Sequence, residues 1–217
     1  MSFTINEIRN KVYLIEADIQ YEIASMFMRP QEYYESPFKN IQGKYFSVEE
    51  YIDQYVKETG GFTYFTDWTG FNIPSENIKT FFQLFKYDLT AKEILLDQLI
   101  RSINPRMDGA FYVIGCSKDG NYKQTINHEL AHAYWYLYPE YKSTMLSYIP
   151  KFSHYQSAVD SMVTTGGYNQ TVMNDEFQAY IATSLREDII RFFGWDSKVK
   201  IPSTIRKYFK EFDKKHK

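Results

Sequence analysis

Apolar positions along the chain follow two regimes. Up to about residue 117, short runs rich in β-branched and aromatic residues alternate with stretches of helical spacing; from Tyr122 onward helical spacing alone remains. Residues 11–17 (KVYLIEA) read as a strand, and residues 109–116 (GAFYVIGC) as the clearest strand in the chain. Residues 19–36 place Ile19, Ile23, Met26 and Phe27 at helical spacing, with Pro30 predicting a kink or a boundary. Ser47-Val-Glu-Glu50 has the form of a capping box and opens a helix that Gly60-Gly61 stops. Residues 62–65 read as a short strand and residues 67–74 as an ordered loop. Two further helices start near Ser75 and Thr90, the latter with a second capping box in Thr90-Ala-Lys-Glu93, and Pro105 follows its end. The remaining helical segments are 122–138, 140–148, 154–165, 174–193 and 202–214. Strands first and helices afterwards predict an α+β fold: one domain over 1–217, with a sheet-containing part (1–138) and a helical part (139–217).

Composition narrows what such a domain can be. The 217 residues suffice for a core without covalent staples, and the single cysteine, Cys116, allows neither an internal disulfide nor a cysteine-rich zinc site. With 25 basic against 27 acidic residues, no net field favours nucleic acid as a partner. No apolar run reaches the roughly 18 residues of a membrane span, and charges at Glu7, Arg9 and Lys11 interrupt the start where a signal peptide needs an apolar stretch. The expectation is a soluble, cytoplasmic protein. The basic C-terminal stretch from Ser197 reads as the solvated face of a last amphipathic helix, and His216 in it as solvent-facing. Two counts remain to be placed: Tyr 20, Phe 17 and Trp 3 make aromatics abundant, whereas histidines number four.

Two of those histidines stand together in His128-Glu129-Leu130-Ala131-His132. On a helix, residues four apart share a face, so both imidazoles can address one metal ion. Glu129 lies about 100° round the helix, beside the ion without being a ligand to it. Zn²⁺ with an open position lowers the pKa of water towards ~7, and an adjacent carboxylate can take the proton. This is chemistry for hydrolysing a peptide or amide bond. Ile126, Leu130, Ala133, Tyr134 and Leu137 supply the helix with core positions, and a strand precedes it.

A motif of this kind, on a helix that follows a strand, resembles the active-site helix of the zincin metallopeptidases. The resemblance implies that the preceding strand, residues 110–115, is a sheet edge that pairs with extended substrate. The metzincin form does not fit, because Trp135 stands in place of its glycine and Tyr138 in place of its third histidine. The gluzincin form takes a glutamate from a later helix, and Glu176 in Asn174-Asp-Glu-Phe-Gln-Ala-Tyr180 matches it, with residues 133–175 intervening. That interval is longer than in thermolysin-like enzymes. Those enzymes also place an aspartate four residues after the third ligand, where this chain has Tyr180, so Asp175, Gln178 or Tyr180 must orient an imidazole instead. Asp175, His154 and Glu140 are the other candidates for third ligand. The pairing of HE-x-AH with a later E-x-QAY also resembles a set of small bacterial and archaeal zincin-like proteins.

The resemblance implies a tyrosine or histidine that donates to the developing oxyanion. Tyr168, in a glycine-rich turn before the Glu176 segment, is the first candidate, with Tyr180, Tyr155 and His154 as alternatives. The expected function is therefore zinc-dependent hydrolysis of a peptide or protein substrate: His128, His132 and Glu176 hold one Zn²⁺, Glu129 is the general base, and Tyr168 steadies the oxyanion. Two other readings are a zincin-fold binding or regulatory protein with a structural or vestigial metal, and a latent or single-substrate protease.

Overall fold

The computed structural model describes residues 3–119, 122–164 and 170–217. The chain divides into two compact units, Met1–Thr125 and Ile126–Lys217, so the division falls inside the His128 helix rather than after residue 138. The fold is α+β, with a small mixed sheet in the first unit and helices throughout the second.

The elements of the first unit are β1 (Thr4–Arg9), β2 (Val12–Ala17), α1 (Gln20–Glu35), α2 (Val48–Thr59), α3 (Tyr64–Asp67), β3 (Gly70–Pro74), α4 (Ser75–Leu84), α5 (Ala91–Ile103) and β4 (Tyr112–Ser117). The sheet order is β1-β2-β4-β3, with β2 and β4 parallel at its centre and β1 and β3 antiparallel at its edges. Both central strands are buried on both faces, which is why they read as unbroken apolar runs. One face carries Tyr13, Ile15, Phe71, Ile73 and Val113 into a core shared with Phe27 of α1 and Phe81 of α4. Phe27 lies so close over β4 that a Cβ at Gly115 would stand 2.6 Å from its ring, so glycine is what lets helix and sheet meet there.

Several sequence expectations need correction. β4 is not an edge strand: β2 and β3 flank it, so its backbone groups are used on both sides and none is left for a substrate. The edge beside it is β3, in the stretch expected to be a loop. Gly70, Asn72 and Pro74 have low strand propensity, and Pro74 is tolerated because an edge strand can spare an N–H. Residues 62–65 do not form a strand. They lead into the single turn α3, which Asp67 closes by accepting from the Thr63 hydroxyl at 2.8 Å. β1 carries no apolar strand signal, because none of its residues is buried, and it turns into β2 through Lys11 in the left-handed region (φ 63°). The two capping boxes, at Ser47/Glu50 and Thr90/Glu93, are formed as the sequence predicts. α1 runs through Pro30 without ending.

The second unit contains most of α6 (Tyr122–Leu137), followed by α7 (Pro139–Tyr148), α8 (Tyr155–Thr164), α9 (Met173–Thr183), α10 (Arg186–Phe193) and α11 (Ser203–Lys215). Its core is aromatic: Tyr134, Tyr141, Phe177, Phe193, Phe209 and Phe212 are all buried. The single helix expected over 174–193 is two helices. Ser184 is extended (ψ 156°), and the Arg206 guanidinium of α11 donates to the freed carbonyls of Ile181 and Ser184. His216 does not face solvent alone. Its ring stacks on Phe212 at 4.0 Å, and its Nδ1–H donates to the Phe212 carbonyl.

Candidate metal centre

From Glu129 to Tyr134 α6 is buried all the way round, so Leu130, Ala131, Ala133 and Tyr134 pack in the core and Glu129 and His132 are buried with them. His128, one turn earlier, is half-buried. α9 has Met173, Phe177, Ile181 and Ala182 buried, and this packing sets Glu176 among them. Each helix is thus fixed by ordinary apolar spacing, and the polar side chains are placed by the helices.

The imidazoles of His128 and His132 present their Nε2 atoms to each other at 3.2 Å. Glu176 Oε2 lies 3.7 Å from His128 Nε2, and Glu176 Oε1 lies 3.7 Å from His132 Nε2. One donor atom from each of the three side chains falls within 4.8 Å of the others, and among the described residues no further group of this kind occurs. Glu176 Oε2 is buried with no hydrogen-bond partner. A buried carboxylate oxygen left in that state is costly unless a cation meets it. Two imidazole nitrogens and a carboxylate oxygen are also a donor set suited to Zn²⁺. On both counts these residues fit a zinc ion.

The electrostatics point the same way. Burial alone would push the His132 imidazole down, but Asp175, Glu176 and Glu129 around it hold it well above the ordinary histidine range. Burial would raise the Glu176 carboxyl, yet the facing His132 and His128 keep it below the ordinary range. The cluster therefore attracts positive charge.

Asp175 is not the third donor. Its Oδ1 accepts from His132 Nδ1 at 2.9 Å, on the side of the ring away from Glu176, and this bond fixes the ring's orientation. Gln178, also among the candidates to orient an imidazole, donates from Nε2 to the same Asp175 oxygen at 3.0 Å. Tyr141 of α7 donates to Gln178 Oε1 at 2.9 Å. No local signal in the sequence pointed to Tyr141, because only the folding back of α7 brings it to α9.

The other candidates are distributed differently. Tyr180 packs edge-on against the His128 ring at 4.9 Å and stacks on Phe192 at 4.5 Å, which places it beside the cluster. Tyr155 is turned to Asn174, bonding its Oδ1 at 2.6 Å. His154 is exposed, its Nδ1 paired with the Ser153 hydroxyl, and Glu140 is exposed in the first turn of α7; neither joins the cluster. Tyr168 lies outside the described residues. Comparison with protein-family models, with curated proteins and with solved structures finds no match for this chain.

Proposed function

We propose that the chain is a zinc-dependent peptide-bond hydrolase of zincin type, with a gluzincin donor set. The observation that carries this reading is the convergence of His128 Nε2, His132 Nε2 and the Glu176 carboxylate, whose buried Oε2 has no hydrogen-bond partner, beside the buried Glu129. His128, His132 and Glu176 would hold the ion. Zinc bound there supplies Lewis-acid polarisation of a carbonyl and lowers the pKa of water to about 7. Glu129, one residue after His128, takes the proton of the attacking water on its carboxylate and returns it to the leaving amine nitrogen. Asp175 holds the proton on His132 Nδ1 and so keeps Nε2 free to bind. Burial of His132, Glu129 and Glu176 keeps bulk water away from the donors.

A donor to the oxyanion completes the set. Among the described residues, Tyr180 is the tyrosine packed on a proposed ligand, and Tyr168 stays a second candidate for the same task. That β4 leads from the sheet into α6 agrees with the strand-then-helix order of the zincin resemblance.

The test is Glu129→Gln in purified full-length protein. The variant should keep about one zinc per chain and lose peptide cleavage by roughly two to four orders of magnitude. Undiminished cleavage removes Glu129 from the mechanism. Wild-type protein that takes up no zinc removes the reading altogether. Zinc uptake without turnover of generic peptides would favour a zincin-fold binding protein or a single-substrate enzyme.

A further inference from the structure

α7 belongs to the stretch that separates His132 from Glu176 in sequence, and it returns one side chain to their neighbourhood. The Tyr141 hydroxyl, the Gln178 amide, Asp175 Oδ1 and His132 Nδ1 form an unbroken chain of hydrogen bonds at 2.9, 3.0 and 2.9 Å. Gln178 and Tyr141 are both 0% exposed, so no solvent can replace either link.

Every donor and acceptor in this chain is determined by chemistry. An ionised carboxylate only accepts, so Gln178 must turn Nε2 towards Asp175. Its Oε1 then faces Tyr141, and the tyrosine hydroxyl must donate. Asp175 Oδ1 also accepts from His132 Nδ1–H, which leaves the lone pair of the neutral ring on Nε2, the atom that faces His128 and Glu176. If the Gln178 amide were reversed, its oxygen would oppose Asp175 Oδ1 and push the carboxylate off His132. The Tyr141 hydroxyl supplies the donor that Oε1 needs in this orientation; without it that buried oxygen is unsatisfied and the amide is held at one end only.

We propose that Tyr141 and Gln178 are positioning residues for the metal. Through Asp175 they fix which nitrogen of His132 is free and where it points. The inference rests on the zinc reading above and goes beyond it, because it assigns the α7 insertion a role in metal affinity and gives a reason for glutamine at 178.

The experiment compares the full chain with Tyr141→Phe, Gln178→Leu and the double variant. Zinc affinity is measured by competition with a chromophoric chelator, and ligand geometry by the visible absorption of the Co²⁺-loaded proteins. Metal-free melting serves as the control for folding. Tyr141→Phe removes one oxygen and keeps the ring packing, so a folded sample remains if Gln178→Leu fails to fold. Each single variant should bind zinc about ten- to a hundredfold more weakly, with an altered Co²⁺ spectrum. The double variant should bind no more weakly than Gln178→Leu, because both side chains act through one oxygen. Wild-type binding accompanied by unchanged affinity and spectrum in Tyr141→Phe would overturn this inference and leave the zinc reading standing. So would losses that simply add. Wild-type protein that binds neither zinc nor cobalt would overturn both.

Discussion

Glu32 and Glu176 are both buried carboxylates, and their neighbours send them in opposite directions. Glu176 faces imidazoles and is held below its ordinary range. Glu32, in α1, is raised above the ordinary 4.5 by burial, and the Ser36, Tyr51 and Tyr64 hydroxyls offset this only in part. A carboxyl raised in the folded state binds its proton more tightly there than when unfolded. Its contribution to stability is full below about 4.5 and is lost as pH rises through the folded value. Glu32→Gln should therefore resist denaturant better than wild type at pH 7, with the difference closing towards pH 4. Equal midpoints at both pH values would show that Glu32 is not a buried acid of this kind.

At the scale of elements, one residue joins two devices. Glu93 closes the capping box of α5, accepting from Thr90 N–H at 2.7 Å, and also takes two bonds from the buried Arg29 of α1 at 2.8 and 2.6 Å. Arg29 further bonds Asp88 at 2.9 Å and lies over the Phe85 ring at 4.9 Å. Glu93→Ala removes a cap and leaves a buried guanidinium with one acidic partner, Asp88, that is half-exposed. Urea denaturation should register a loss of about 3 kcal/mol. A loss below about 1 kcal/mol, the value of a cap alone, would mean that the ion pair adds nothing.

The same element illustrates what the sequence could reveal. Thr90 and Glu93 were legible because a capping box is a local contract over one turn, and His128, Glu129 and His132 were legible for the same reason. Glu176 could be named only through the gluzincin resemblance, which takes a glutamate from a later helix. β3 was lost behind Gly70 and Pro74, whose low strand propensity is overruled by pairing with β4. The break after Thr183 was invisible because the group that satisfies its freed carbonyls, Arg206, arrives from another helix. Tyr141 was invisible for a similar reason: nothing within a turn of it mentions the site it supports.

At the scale of the molecule, the aromatic abundance finds its place in both units. Rings from Tyr13 to Phe111 fill the core beneath the sheet, and rings from Tyr134 to Phe212 fill the core among the helices. The proposed metal donors all lie in Ile126–Lys217, on two helices separated by α7 and α8. An ion held by α6 and α9 together binds the folded chain and not the unfolded one. Zinc at a hundredfold excess over its dissociation constant should stabilise the fold by about 2.7 kcal/mol, and a chelator should reverse the rise in melting temperature. A melting temperature indifferent to both additions would count against a shared ion.

The outer rim of β3 has a consequence for how the protein behaves in a crowded solution. Its Asn72 N–H is already engaged by the Gln31 side chain at 3.0 Å, and Pro74 has no N–H to offer. At the opposite rim, β1 carries Glu7 and Arg9 and loses its register between them. Neither rim presents a clean row of rungs, so a ribbon from a neighbouring molecule finds little to zip onto, and a sheet this small is protected against growing into a fibre.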